Sequence, residues 1–154
     1  MSRELLGQIR EAFVGTPRPE HFTHYQHCAE CFEHDAVLRT HTPNSIGFTE
    51  LGNPGWDPMC FVRTDGYLYY LPALARLALG TGEECYLDQF RFHLNVERVL
   101  AMTLEQRRAV LHLLEHLREQ RRDEIEVDCD LGDLNESIQM LSLHVGGAQN
   151  EAGL

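Results

Sequence analysis

The sequence contains no lysine, so all 13 of its basic residues are arginines, and they stand against 24 acidic residues. The formal net charge is −11 at pH 7. Proteins that bind nucleic acid or anionic lipid carry a basic surface that displaces or attracts counterions. The charge balance therefore argues against a nucleic-acid partner and against docking on a membrane. It favours a cation or a protein partner with a basic surface, or a surface that is acidic for solubility alone.

Long hydrophobic runs are also missing. The longest apolar stretch, residues 67–79, is interrupted by Pro72 and Arg76 and is shorter than the roughly 20 residues of a membrane span. The first 13 residues have the pattern of an amphipathic helix and not of a secretory leader. We therefore expect a soluble, cytoplasmic protein.

The sequence lacks the common catalytic signatures. It has no GxSxG, HExxH, Walker loop or GxGxxG pattern. Cys60 paired with a histidine would suit a nucleophile and its base, but nine histidines make such a pairing unspecific. The sequence therefore favours a non-enzymatic binding or regulatory module, with no catalytic residues assigned.

Helical periodicity dominates what is present. The length of 154 residues and the 43% hydrophobic content suit one compact domain. We predict a mainly α fold over residues 1–145, a bundle of five or six helices around a central helix at 71–79. A turn signal at Thr64 to Gly66 suggests a short β-hairpin within 59–70. Thr103, with Gln106 three residues later, has the spacing of a capping box and predicts the start of a further helix. Residues 124–130 are predicted to be extended, and residues 146–154 are predicted to be a disordered tail.

Residues 20–39 are predicted to form a helix with two different faces. The apolar face comprises Phe22, Tyr25, Ala29, Phe32 and Ala36. The opposite face comprises His24, Cys28, Cys31 and Asp35, with His27 and His34 beside it. A helix of this kind is either buried in the core on both faces or carries a functional site on its polar face.

A metal site is the first interpretation of this Cys/His helix. Zinc prefers cysteine and histidine, and side chains three or four positions apart on a helix can share one ion. The predicted ligands are Cys28, Cys31, His34 and Cys60, with His27 and Asp57 as alternates and His41 as a further candidate. A zinc-binding protein, with hydrolase activity as one form of it, is thus the alternative to the binding module.

Redox chemistry is the second interpretation. The chain has five cysteines, an odd number, and no secretion signal, which indicates a reducing compartment and free thiols or metal ligands. A redox CxxC lies at a helix N-terminus, where the helix dipole lowers the thiol pKa. In thioredoxin-like proteins that helix also follows a strand. Because no strand is predicted before the motif, and Cys28 and Cys31 are predicted to lie within the 20–39 helix, this interpretation is disfavoured.

Three segments carry a resemblance to a known family. They are ECFEH at 30–34, ELGNPGWDPMCF at 50–61 and YYLPAL at 69–74. In these segments the chain resembles a family of small bacterial proteins catalogued only as a domain of unknown function. The resemblance spans about residues 5–120 and implies a bacterial, single-domain protein. It implies no activity, cofactor or catalytic residue.

Overall fold

A computed structural model describes residues 2–80, 84–128 and 131–151. Within these ranges the chain forms nine α-helices and two 3₁₀ turns, and it is mainly α, as predicted for a compact helical protein. The helices are α1 Ser2–Phe13, α2 Ala29–Thr40, α3 Phe48–Leu51, α4 Thr64–Ala78, α5 Leu87–His93, α6 Val96–Ala101, α7 Leu104–Gln120, α8 Arg122–Asp128 and α9 Leu131–Glu151. The 3₁₀ turns, Pro54–Trp56 and Pro58–Cys60, lie between α3 and α4.

Helix α4 is the centre of the core, as the apolar pattern predicts. Tyr67, Tyr70, Leu71 and Leu74 are fully buried. The helix packs against α1, α5 and α6, while α7 packs against α1 and α9. Burying large apolar side chains stabilises the fold by about 1.5–3 kcal/mol each, so α4 fixes the position of the elements around it.

The predicted β-hairpin at 59–70 is wrong. These residues contain the end of the second 3₁₀ turn and the first half of α4. In the described part of the chain, β pairing is limited to one antiparallel bridge between Thr23 and Val62. Tyr67, Tyr70 and Leu71 follow helical spacing and are buried together against the core, and this burial outweighs the strand propensity of the tyrosines.

The C-terminal third of the chain contains the predicted capped helix, but the residues after that helix are more helical than predicted. Thr103 caps α7 in a capping box with Gln106, as expected. Residues 124–128, expected to be extended, belong to α8. Helix α9 continues to Glu151 over part of the 146–154 tail predicted to be disordered, and residues 152–154 lie outside the described residues. Leu134, Ile138 and Leu141 anchor this helix in the core.

Helix α2 differs most from its prediction. It begins at Ala29, and residues 20–28 are non-helical. Its buried side is the predicted polar face, with Cys31, His34, Asp35 and Leu38, while Phe32 is 60% exposed. The Cys/His side of the helix therefore faces the protein.

At the other end of α2, the Arg18 side chain donates hydrogen bonds to the carbonyls of Arg39 and His41.

Among the helices that the structure describes, none combines the length and the apolar content needed to cross a lipid bilayer.

Candidate functional site

Asp35 positions the segment that leads into α2. One carboxylate oxygen accepts hydrogen bonds from the backbone N–H groups of Phe22 and Thr23 at 2.6 and 3.2 Å. The other lies 2.7 Å from Nδ1 of His21. Burial alone raises the pKa of Asp35, but these hydrogen bonds outweigh it and hold the pKa below its ordinary value. An ionised, buried carboxylate thus holds residues 21–23 beside α2.

The chain then turns into the helix through Cys28. The N–H of His27 donates to the carbonyl of His24 at 2.9 Å, which closes a turn over residues 24–27. Cys28 is extended, with φ −158° and ψ 168°, and is the N-cap of α2. The Thr23 hydroxyl donates to the Cys31 carbonyl at 2.7 Å, which fixes the first helical turn against the preceding segment. The CxxC motif therefore lies at the helix N-terminus and not within the helix.

The two thiols of the motif face each other. Cys28 Sγ accepts a hydrogen bond from the Cys31 N–H at 3.3 Å, and the two sulfur atoms are 3.2 Å apart. Cys28 is exposed, whereas Cys31 is 7% exposed. A disulfide needs a sulfur separation of about 2.05 Å, so a small side-chain rotation would suffice to close one.

The electrostatic environment distinguishes these thiols. The hydrogen bond from the Cys31 N–H, with smaller contributions from the His27 and Cys31 side chains, lowers the pKa of Cys28 to about 7. The hydrogen bond with Cys28 and then burial raise the pKa of Cys31. At neutral pH the outer sulfur is therefore about half ionised and the inner one protonated.

His27 adds a third donor to the motif. One nitrogen of His27 and the sulfurs of Cys28 and Cys31 all lie within 4.8 Å of one another. Two sulfurs on one tetrahedral zinc ion, with Zn–S bonds of about 2.3 Å, are separated by roughly 3.7 Å. The observed 3.2 Å is shorter than this. The group would thus need to open slightly to hold zinc, and it supplies three of the four protein ligands of a structural site.

A surface cleft of about 850 Å³ adjoins the motif on the side of the 20–28 segment. His27, which precedes Cys28, contributes to its wall. The other walls include His21, His24, Tyr25 and Arg63. A molecule bound in this cleft would contact His27, the residue that precedes Cys28 in the sequence.

The remaining predicted ligands lie elsewhere. His34 is 1% exposed and packs between the rings of Trp56 and Phe61, with centroid distances of 4.6 and 4.9 Å. Its Nε2 is 3.6 Å from the Glu30 carboxylate, and no hydrogen bond to either ring nitrogen is found among the described residues. His34 belongs to neither of the donor groups that the described residues form within 4.8 Å.

His41 lies at the far end of α2, at its C-cap. Twelve helical residues span about 18 Å, which separates it from Cys28. Its Nε2 is instead 3.7 Å from the Glu50 carboxylate. The further candidate His41 therefore cannot complete a site at the CxxC motif.

Cys60 and the alternate ligand Asp57 form a second group, with His93. Their ligand atoms lie within 4.8 Å of one another. Asp57 and His93 are 2% and 4% exposed, and Asp57 Oδ2 is 2.7 Å from His93 Nε2. The predicted ligand set is thus divided between two clusters, and metal binding itself stays a prediction. Sequence reasoning missed His93, because nothing local pairs it with a residue 36 positions away.

Cys60 does not have the features of an activated nucleophile. Burial, and then the nearby charge of Asp57, raise the pKa of its thiol. A catalytic cysteine needs a lowered pKa or an adjacent free base. The Nε2 atom of His93 is 2.7 Å from Asp57 Oδ2 and is therefore not free to act as that base. The environment therefore points away from the nucleophile and base considered in the sequence.

Comparison of the chain with protein-family models, curated proteins and solved structures gives no match. The resemblance to the small bacterial family therefore stays a prediction.

Proposed function

We propose that the protein carries out thiol–disulfide exchange through Cys28 and Cys31. The observation that carries the proposal is the exposed Cys28 at the N-cap of α2, with its sulfur 3.2 Å from that of the buried Cys31. This supplies the helix N-terminus that such a motif requires. In a reducing compartment, disulfides are usually transient and either catalytic or redox-sensing.

The chemistry uses the two thiols in sequence. The Cys28 thiolate attacks one sulfur of a substrate disulfide, forms a mixed disulfide and releases the other sulfur as a thiolate that takes up a proton. Cys31 then loses its proton and attacks Cys28 Sγ, which releases the second substrate sulfur as a thiol. Two electrons pass from the dithiol to the substrate, and the products are two thiols and a Cys28–Cys31 disulfide. The reverse sequence oxidises a substrate dithiol.

The pH dependence of alkylation tests the activation of Cys28. Because the pKa of Cys28 is about 7, its alkylation rate should rise with pH to a midpoint near 7 and then level off. An ordinary exposed thiol, with a pKa of about 8.5, is only about 3% ionised at pH 7. The measurement is the iodoacetamide rate at each cysteine, obtained by peptide mass spectrometry over a range of pH.

Cys60 provides the comparison within the same chain. Its pKa is raised, so its profile should have a midpoint above that of an ordinary thiol. If the profiles of Cys28 and Cys60 coincide, the Cys28 thiol is not activated and the proposal loses its chemical basis.

Zinc binding by His27, Cys28 and Cys31 is the second candidate, favoured by the third donor at the motif. Three protein ligands and a bound water would match a catalytic zinc, and thus the hydrolase form of the sequence prediction. Zinc content of protein purified without chelator separates the candidates. One zinc ion per chain that is lost in a Cys28→Ser/Cys31→Ser variant, with Cys28 protected from alkylation, supports the metal site at the motif. A Cys28 that is readily alkylated supports exchange, whether or not zinc is bound elsewhere in the chain. The non-enzymatic binding module stays a prediction for a chain that does neither.

A further inference from the structure

The second Cys/His group is built from two segments that are held rigidly together. Asp57 caps the 3₁₀ turn Pro58–Cys60, its Oδ1 accepting from the Met59 N–H at 2.9 Å, and its carbonyl accepts from the Cys60 N–H at 3.1 Å. Pro58 and Met59 are buried. The turn therefore fixes the Asp57 and Cys60 side chains relative to each other.

Arg98 joins this turn to the residue that supplies the histidine. Its buried guanidinium donates to the carbonyl of His93 at 2.8 Å and to those of Met59 and Val62 at 3.2 Å each. His93 is the last residue of α5. One side chain thus holds the end of α5 against the 3₁₀ turn, so the three donors do not depend on a flexible loop for their arrangement.

We infer that Asp57, Cys60 and His93 form a zinc site, separate from the CxxC motif. Their oxygen, sulfur and nitrogen atoms lie within 4.8 Å of one another. These are the three donor types that zinc uses in proteins, and three protein ligands leave one position for water or a substrate. Cys60 is exposed, which gives the ion a route from solvent.

The surroundings of Asp57 match those of a metal ligand. Its Oδ2 accepts hydrogen bonds from Gln89 Nε2 at 2.9 Å and from the Tyr86 hydroxyl at 3.4 Å. Ligating carboxylates are commonly oriented by such outer contacts. The ion would replace the proton between Asp57 Oδ2 and His93 Nε2. Tetrahedral bonds of about 2.0–2.1 Å place two such atoms roughly 3.3 Å apart, against the observed 2.7 Å. The adjustment is less than 1 Å.

Charge is also compatible with the site. A carboxylate, a thiolate and a neutral imidazole together balance the two charges of zinc, and the chain as a whole has a net charge of −11 that attracts cations. Zinc displaces the thiol proton to solvent when it binds, and His93, ligating through Nε2, carries its one ring proton on Nδ1, so no other reactant is required.

Cobalt binding to a Cys28→Ser/Cys31→Ser variant tests the site without contribution from the motif. Co²⁺ is a spectroscopic substitute for zinc, and a thiolate ligand gives it an intense near-ultraviolet charge-transfer band. We expect this band to saturate at one cobalt ion per chain and to disappear when zinc is added. Adding Cys60→Ser should abolish it, whereas the matched change Cys85→Ser should leave it intact.

Folding and thermal stability provide the second measurement. Cys60 is exposed, so its serine variant should keep its circular dichroism spectrum. Zinc should raise the melting temperature of the Cys28→Ser/Cys31→Ser protein and leave that of the added Cys60→Ser variant unchanged. The absence of a cobalt band, or a band that persists with Cys60→Ser, would overturn the inference. Because both motif cysteines are absent, neither outcome bears on disulfide exchange.

Discussion

A Cys31→Ser variant exposed to glutathione disulfide should accumulate a stable mixed disulfide at Cys28. The exposed thiolate still attacks, but the buried thiol that would release the adduct is missing. The wild type should pass through the same adduct and end with a Cys28–Cys31 disulfide. Intact-protein and peptide mass spectrometry distinguish the two products.

In the reciprocal variant, Cys28→Ser, the Cys31 thiol should react with glutathione disulfide at least about tenfold more slowly than Cys28 reacts in the Cys31→Ser variant. At pH 7 the lowered pKa gives Cys28 about a 15-fold larger thiolate fraction than an ordinary thiol has. The lower intrinsic nucleophilicity of such a thiolate partly offsets this, so the reaction rate of Cys28 should be about threefold higher. Burial widens the difference, because Cys31 is 7% exposed and desolvation still raises its pKa when the Cys28 sulfur is removed. Cys85→Ser is the matched control and should behave as the wild type. Equal adduct formation at residues 28 and 31 in the two variants would contradict the assigned roles.

An Asp35→Ala variant should lose about 2–5 kcal/mol of unfolding free energy. It removes a buried carboxylate and leaves the N–H groups of Phe22 and Thr23 without their acceptor. Asp35→Asn keeps an acceptor and should lose less. Glu33→Ala, at an exposed position of the same helix, should change stability by no more than about 0.5 kcal/mol. Urea unfolding followed by circular dichroism measures these differences.

Asp35 should also make the unfolding free energy depend on pH. The pKa of Asp35 is lower in the folded protein than in the unfolded chain, where it is about 3.9. Its stabilisation is therefore fully present above about pH 4 and is lost as pH falls through the folded value. The stability difference between the wild type and Asp35→Asn should shrink below about pH 4. A difference that stays constant down to pH 2 would show that the ionised carboxylate does not hold the segment.

Sequence patterns predicted the elements that depend on local contacts. The second half of the central helix α4 followed from its continuous apolar spacing, although its first half was predicted to be a hairpin. The start of α7 followed from Thr103 and Gln106, which lie three residues apart and satisfy each other. The start of α2 did not follow. Phe22 and Thr23 fit a helical pattern, but their N–H groups are taken by Asp35, a tertiary contact across 12 or 13 residues.

That misplaced boundary also misdirected the functional interpretation. With Cys28 placed inside a helix, the CxxC motif lacks the terminal position that redox chemistry needs, and its sulfurs then favour a metal site. With Cys28 as the N-cap, the same residues gain an exposed, activated thiol. Residue types were sufficient to select Cys28, Cys31 and Cys60 as candidates. They were not sufficient to divide them between two clusters, because that division depends on how α5 and the 3₁₀ turn pack.

The redox equilibrium of Cys28 and Cys31 can be measured by equilibrating the protein in glutathione buffers of increasing oxidised fraction. Acid quenching, thiol labelling and peptide mass spectrometry then identify the state of each cysteine. The account predicts a reversible loss of two thiols, with Cys28 and Cys31 joined in one disulfide and Cys60 and Cys85 still labelled as thiols. Glutathione adducts on Cys28 without an intramolecular disulfide, or no oxidation of the motif across the whole range, would contradict it.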